Sequence, residues 1–307
     1  MSVVHEPLER AGVTVLERGW LSANNVIVRG SGPTTLIDSG YSSHAAQTLA
    51  LVQQALDGQP LDLLLNTHLH SDHCGGNATL QSHYTACQIW IPPGLAGAVT
   101  AWDEDALTYR PTGQLCPPFG FHGLLHPGED MQLGSRRWEI HGAKGHDPHS
   151  VVLFEPSSRV LISADALWHN GFGVVFPELE GIEAFAEVGQ TLDAIESLNP
   201  LVVIPGHGPL FADVVPALSR ARSRLEMFTR SPEKHLRHAL KVLIKFRLLE
   251  WQHIDRSALL AWAQHTPYLA RHMPAAQDDQ SKWLDELLSE LATSKALALK
   301  GDLVLNV

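Results

Sequence analysis

The stretch Thr67–Asn77, THLHSDHCGGN, sets three histidines and one aspartate into six consecutive positions, directly behind the apolar run LDLLLNTH of residues 61–68. A near-continuous apolar run of this length suits a strand buried on both faces. Side chains just beyond its end, on a tight loop, can converge on one side. His68, His70, Asp72 and His73 spell HxHxDH, and neutral imidazoles with a carboxylate are good ligands for zinc and similar borderline metals. A histidine-rich polar loop with no metal would show the same residues, so this stretch alone does not decide.

Three further sites repeat the pattern. His146 stands in KGHDPHS, Asp165 in LISADAL and His207 in VIPGHGP, each at or just past an apolar strand-like run. Four strand ends delivering donors would place seven of them on one edge of the fold. A lone HxH is weak, whereas HxHxDH followed in order by GH, D and GH is a specific signal. Satisfied polar loop residues explain one such motif but not the ordered set.

The set resembles the metallo-β-lactamase superfamily, in particular its hydrolytic branch with glyoxalase II and the lactamase-beta-like proteins. The likeness covers roughly residues 12 to 215, and NNVIVRG…TTLIDSG is similar to that family's opening strands, which end in Asp-x-Gly. The fold it implies is α/β, an αββα sandwich with a two-metal site at one edge. By the resemblance, His68, His70 and His146 hold the first metal, Asp72, His73 and His207 the second, and Asp165 bridges them. It makes Asp38 a structural residue. The cofactors implied are two divalent ions, with zinc expected and iron or manganese suited to the same ligands. Their bridging hydroxide would attack a carbonyl or phosphoryl centre, needing no nucleophilic Ser or Cys. Asp72 could orient that hydroxide and pass on its proton. His149 is either a group supporting this chemistry or a solvent-facing loop histidine. His169 is a candidate for the pocket wall. His83, His122, His126 and His141 read as surface or structural, Cys74 as a small buried residue, and Gly75 and Gly76 as points of close backbone approach.

The bulk numbers bound the rest. With 307 residues, 44% of them hydrophobic and 18% charged, the chain is long enough for a sizeable core. A net charge of −11 is poor for generic phosphate-backbone binding. Three cysteines without CxxC spacing fit a reducing compartment better than a disulfide framework. The N-terminal MSVVHEPLERAG has no apolar core of signal-peptide length, and no run reaches membrane-spanning length. A cytoplasmic protein is expected.

Periodicity predicts a helix over residues 43–56, a strand over CQIWIPP, a hairpin with a Pro-Ser-Ser turn in HSVVLFEPSSRVLISADAL and a helix over 182–198. Residues 94–126 read as irregular, either a lid beside the site or a surface excursion packed by its own aromatics. From residue 216 to 307 the chain turns basic and helical, closing on the hairpin KALALKGDLVLNV. Helices followed by a hairpin have the layout of a winged helix, so the expected division is 1–215 catalytic and 216–307 winged-helix-like. A winged helix can read DNA, but basic amphipathic helices are more often solvated faces, and the apolar wing favours packing on the catalytic domain or in a homodimer.

The leading expectation is therefore a dinuclear hydrolase acting on an ester or thioester of a small molecule. Asp165 disfavours a true β-lactamase, and the glutathione-binding residues of glyoxalase II cannot be aligned here. A phosphodiesterase or endoribonuclease using the same metals is one alternative. A non-catalytic ligand-binding or regulatory protein retaining the site is another, because fold does not dictate function.

Overall fold

The computed structural model describes residues 4–307; the first three residues of the N-terminal stretch considered above lie outside them. A short helix α1 (His5–Ala11), not anticipated from the sequence, leads into β1 (Val13–Leu16), β2 (Asn25–Val28) and β3 (Thr35–Ile37). The anticipated helix α2 (Ala45–Leu56) follows, then β4 (Leu63–Leu65), α3 (Ser71–Cys74), α4 (Asn77–His83) and β5 (Gln88–Ile91). The stretch 94–126 is more ordered than its composition suggested. It holds α5 (Ala96–Ala101), α6 (Tyr109–Thr112) and the short strand β6 (Gly123–Leu124). β1 to β6 form one sheet in sequence order, antiparallel at first and parallel from β3 onward.

The second sheet has the order β11-β10-β9-β8-β7. Its strands are β7 (Asp130–Leu133), β8 (Arg136–Gly142), β9 (Val151–Glu155), β10 (Val160–Ala164) and β11 (Val202–Pro205), with α7 (Phe176–Leu179) and α8 (Phe185–Leu198) between the last two. Alternation along β9 shows how the layers are built. Val151 and Leu153 join a core shared with Val26, Val28, Ile37 and Leu65 of the first sheet, while Val152 and Phe154 face the cluster formed with α8. The other face of the first sheet, through Ile27, Leu36 and Leu64, packs on Val52 and Leu56 of α2 and Leu80 of α4. Helices thus cover both outer faces of two packed sheets, the α/β sandwich the sequence implied.

The tail comprises α9 (Val214–Arg230), α10 (Pro232–Trp251), β12 (His253–Asp255), α11 (Arg256–His265), α12 (Pro267–Ala270), α13 (Gln277–Thr293), β13 (Leu297–Lys300) and β14 (Leu303–Asn306). Ala217, Leu218 and Ala221 of α9 pack with Val188 and Leu192 of α8, so this helix extends the sandwich's outer layer. The closing hairpin is joined by a third strand, giving the order β12-β14-β13; three residues after a long helix carried too little pattern to announce it. Val174 and Leu179 belong to the tail's own apolar cluster with Leu243 and Leu287, which seats the tail on the segment around α7.

One polar cluster also fixes the tail in place. Arg247 bonds Glu250 at 2.6 Å, both largely buried, and donates to the Gly113 carbonyl. Its guanidinium lies 4.3 Å from the Trp251 ring centroid and 4.9 Å from that of Trp262. Tyr41 donates to Glu250 at 3.3 Å and accepts from the Leu115 amide at 3.1 Å. Arg247→Ala leaves Glu250 buried without its cation and should cost about 3 kcal/mol in chemical denaturation. A cost below about 1 kcal/mol would show that the pair is idle.

His235 supplies a pH dependence. Its Nε2 accepts from the Val175 amide at 3.1 Å, and burial pushes its pKa down to about 4. The unfolded chain takes up that proton near the ordinary value of about 6.5. Between the two values the unfolded state binds more protons, so stability is lost as pH falls from about 6.5 toward 4. Urea midpoints should be lower at pH 5 than at pH 7, and His235→Gln should narrow the gap.

Candidate metal centre

Every donor singled out in the sequence arrives at the carboxyl end of a strand. His68 follows β4, His146 follows β8, Asp165 follows β10 and His207 follows β11. β10 and β11 run parallel, and β8 shares their direction because both neighbour β9 antiparallel. Backbone bonds then staple the loops of the two sheets together. The Val151 amide donates to the Thr67 carbonyl at 2.8 Å and the Asn24 amide to the Gly206 carbonyl at 2.7 Å, while the bond from Ala23 to Asp72 at 2.9 Å ties two loops of the first sheet. The Asn24 side-chain amide donates to the carbonyls of Pro205 and Gly208.

The donor atoms fall into overlapping groups. His68, His70 and His146 offer nitrogens within 4.8 Å of one another, as do the donors of Asp72, His73 and His207, and those of His68, His73 and Asp165. His146 Nε2 lies 2.8 Å from His70 Nδ1 and 3.2 Å from His68 Nε2. His207 Nε2 lies 3.1 Å from Asp72 Oδ2. Asp165 divides its two oxygens: Oδ2 is 3.5 Å from His146 Nε2, and Oδ1 is 3.4 Å from His73 Nε2 and 3.9 Å from His207 Nε2. It is aimed by an irregular strand end. The β10–β11 register shifts between Ile162 and Ala164, and Ala164 has φ +45°, a costly conformation for a residue with a Cβ. A Cβ at Gly206 would lie 2.1 Å from Asp165 Oδ1 and one at Gly173 2.4 Å from His146 Nδ1, so neither position tolerates a side chain.

A layer of hydrogen bonds orients the donors. Asp38, with φ +58°, accepts from the Thr67 amide at 2.9 Å and the Thr67 hydroxyl at 2.8 Å, and its Oδ2 is 2.8 Å from His73 Nδ1. It touches none of the grouped donor atoms except through His73, as the resemblance implied. His146 Nδ1 faces the Val174 carbonyl at 2.5 Å, leaving Nε2 for the cluster. The Trp168 indole donates to Asp165 Oδ1 at 3.1 Å.

The electrostatics suit cations. Burial, with the neighbouring histidines, holds His68 well below its ordinary pKa and brings His70 down to about 4, so both rings keep a free lone pair. Burial works to lower His73 too, but Asp165 and Asp38 outweigh it and hold it well above the ordinary value. Burial alone would raise Asp165 and Asp72; the facing histidines reverse that and keep both carboxylates ionised. His73 Nε2 is fully buried without a hydrogen-bond partner, and Asp165 Oδ1 stands 3.4 Å from it. Seven converging donors, one of them orphaned, are the chemistry of a divalent-metal site.

The cluster opens into a cavity of about 600 Å³ between the sandwich edge and α10 and α13. Trp20, 53% exposed, stacks on His207 with ring centroids 5.6 Å apart and planes 7° from parallel. It meets Trp168 edge-on at 5.4 Å. Thr108, Thr112 and Gln114 bring the 94–126 stretch to the cavity wall, while its Tyr109 and Phe119 are buried against α4 and the first sheet.

His169 lines the cavity with its ring on Asp213. His149 stands against Gly94, outside the cavity wall. His83, His122 and His126 are exposed. Cys74 is buried and unpaired, and a Cβ at Gly75 or Gly76 would meet backbone at 2.5 Å or less. Sequence reading passed over Trp20, Trp168 and Asp147, whose Oδ2 lies 3.9 Å from His70 Nε2. Only for Asp147, next to His146, did the sequence hold a signal.

The family model of the Metallo-beta-lactamase superfamily matches residues 18–207. A hydroxyacylglutathione hydrolase from Methylococcus capsulatus is 30% identical over 149 residues, 48% of this chain and 48% of its own length. The beta-lactamase-like protein 2 homolog of Drosophila melanogaster is 25% identical over 249 residues, 73% of this chain and 75% of its own. The chain spans about half the length of the first hydroxyacylglutathione hydrolases it matches. Among solved structures, TTHA1623 in a di-iron-bound form aligns with TM-score 0.55 and 25% identity, over 68% of this chain and 98% of that one. A metallo-beta-lactamase family protein from Thermus thermophilus aligns over 96% of this chain and 99% of its own, with TM-score 0.55 and 18% identity.

A direct check is metal content. Metal-loaded protein should hold about two divalent ions per chain. Asp38→Ala frees His73 to turn, and should weaken the ion nearest His73 about 10–100-fold, with the other retained, in graded chelator dialysis.

Proposed function

The chain belongs to the Metallo-beta-lactamase superfamily, and we propose that it is a dinuclear metal-dependent hydrolase acting on an ester or thioester of a small molecule. The observation that carries this reading is Asp165, whose two oxygens are divided between two groups of donors at the floor of a cavity. His68, His70 and His146 would hold one ion and Asp72, His73 and His207 the other, with Asp165 between them. Zinc is the metal proposed; iron and manganese suit the same donors. When bound, such a pair supplies Lewis acidity that acidifies water and polarises a carbonyl oxygen. Asp72 is the proposed proton acceptor, because it faces the cavity and is held ionised beside His207. Trp168 keeps Asp165 in place through its indole N–H. Trp20, Phe176 and Phe246 give the cavity apolar walls, which exclude water and suit an acyl chain.

The tail, read as winged-helix-like, serves in this proposal as the cavity's far wall. Its basic stretches are largely matched by carboxylates. Arg222 pairs with Asp193 and Glu196, Arg230 with Glu226, and Arg237 and Lys241 with Glu290. Matched cations leave little of the free positive surface that a nucleic-acid backbone needs, which supports a small-molecule substrate. Among the described residues no helix is long and apolar enough to cross a membrane.

The test is a hydrolase panel of esters, thioesters, lactones, phosphodiesters and single-stranded RNA with metal-replete protein. Acyl substrates should be turned over, and chelation should abolish turnover. Asp72→Asn keeps an oxygen donor but loses the base, and should lower kcat about 10²–10⁴-fold with metal content near two. Turnover of phosphodiesters alone would overturn the acyl reading.

A further inference from the structure

Two cations that line the cavity lack an Asp or Glu partner among the described residues: Lys245, whose ammonium is taken up by oxygens of Ala296, Asn306 and Val307, and Arg224, which has no such engagement. Along α9, Arg220 pairs with Asp213 at 3.2 Å, Arg222 with Asp193 at 2.7 Å and Arg230 with Glu226 at 2.5 Å. Arg224 lies on the same helix but lines the cavity, and no carboxylate among the described residues comes within ion-pair distance of it. The chain has 33 Asp and Glu against 22 Lys and Arg, so a missing partner here is not for want of acids. Nor is the side chain loosely placed. A Cβ at Gly171, where φ is +123°, would lie 2.6 Å from Arg224 Nη1 and 2.7 Å from its Cζ. The guanidinium therefore rests against bare backbone that only glycine leaves open. Gly171 is tied to Trp168 by the bond from the Trp168 amide to the Gly171 carbonyl, at 2.6 Å, and Trp168 in turn holds Asp165.

The neighbours do not neutralise this charge. Lys241, on the same wall, is already engaged by Glu290 at 2.9 Å. His238 lines the wall too; burial, followed by the charges of Arg224, His235 and Lys241, pushes its pKa down to about 4, so it adds no charge near neutral pH. A partly desolvated cation without a counter-ion is costly unless a ligand completes the pair. A guanidinium fork matches a planar carboxylate in two-point contact.

We propose that Arg224 is a specificity-determining residue that receives a carboxylate on the substrate, at the end remote from the scissile carbonyl. This rests on the hydrolase reading, and it narrows the substrate to an acyl compound with a free acid group. One end lies at the metal cluster, the middle passes between Trp20, Phe176 and Phe246, and the acid meets Arg224.

The experiment compares ω-carboxyacyl thioesters of four to eight carbons with uncharged acyl thioesters of equal length, using metal-replete wild type, Arg224→Gln and Arg224→Lys. Wild type should prefer at least one acidic chain length by about 10-fold or more in kcat/KM. Arg224→Gln should remove that preference, mainly through KM, while leaving the uncharged series within about 2-fold, and Arg224→Lys should restore part of it. Equal losses on both series, or a preference untouched by Arg224→Gln, would overturn the proposal. Calorimetric binding of adipate to the same proteins decides the matter apart from turnover. Adipate binding that weakens about 10-fold in Arg224→Gln supports the anion site even if no thioester is cleaved, in which case the hydrolase reading alone fails. An ω-phosphoryl series preferred over the carboxylates, with the same dependence on Arg224, would overturn the choice of carboxylate.

Discussion

Seven donor groups from four strand ends are taken almost completely out of water at one edge of the sandwich. Each would lose hydration on burial, and a buried carboxylate or imidazole without a partner costs several kcal/mol. The fold answers this demand in two ways. It gives some donors to one another, as in the 3.1 Å contact of His207 Nε2 with Asp72. It leaves others, such as His73 Nε2, facing inward with nothing to bond. The second choice makes sense only where a cation completes the arrangement, so the local sequence is shaped around coordination first and packing second.

Much of the surrounding backbone follows from that demand. Donors from two sheets can meet only if the loops are pinned across the sandwich, and Thr67 and Asn24 do this with backbone and amide hydrogen bonds. Asp165 must project from a strand end beside Gly206, and it does so through a register shift and the left-handed backbone of Ala164. Strain of this kind persists where the neighbourhood over-determines it, here through the bond from the Gly206 amide to the Ala164 carbonyl at 2.7 Å.

The sandwich and its donor edge were legible in the sequence mainly for one physical reason. Strands buried on both faces read as unbroken apolar runs, so the polar residues ending them stand out, and His68, Asp165 and His207 sit at such breaks; His146 follows the half-exposed, alternating β8 and was legible from its motif instead. Features that depend on contacts distant in sequence were not legible. Trp20 is an isolated aromatic in a polar stretch, and only the approach of the β11 loop turns it into a lid over His207. β12 is too short to show a period and exists because β14 offers it an edge. α1 is brief, and its Leu8 and Ala11 are explained by the sheets they pack on. Within the basic run of α9, nothing local distinguishes Arg224 from Arg222; the difference is which residues of other elements stand opposite.

In the proposed hydrolase, the donors and the tail's share of the cavity wall come from separate parts of the chain. The sandwich edge alone supplies the donors, and the cavity that a substrate would fill is closed by α10 and α13. The closure is stiff where Arg247 is locked between Glu250, two tryptophans and the Gly113 carbonyl. That carbonyl belongs to the 94–126 stretch, whose Thr112 and Gln114 line the cavity on the opposite side. One buried ion pair thus couples both walls of the cavity while touching none of the donors. A change of substrate in this architecture would need altered residues only on the cavity walls, at Trp20, around α7, on α9, α10 and α13 and in the segment around Gln114. The seven donors and the strand ends that carry them could stay fixed.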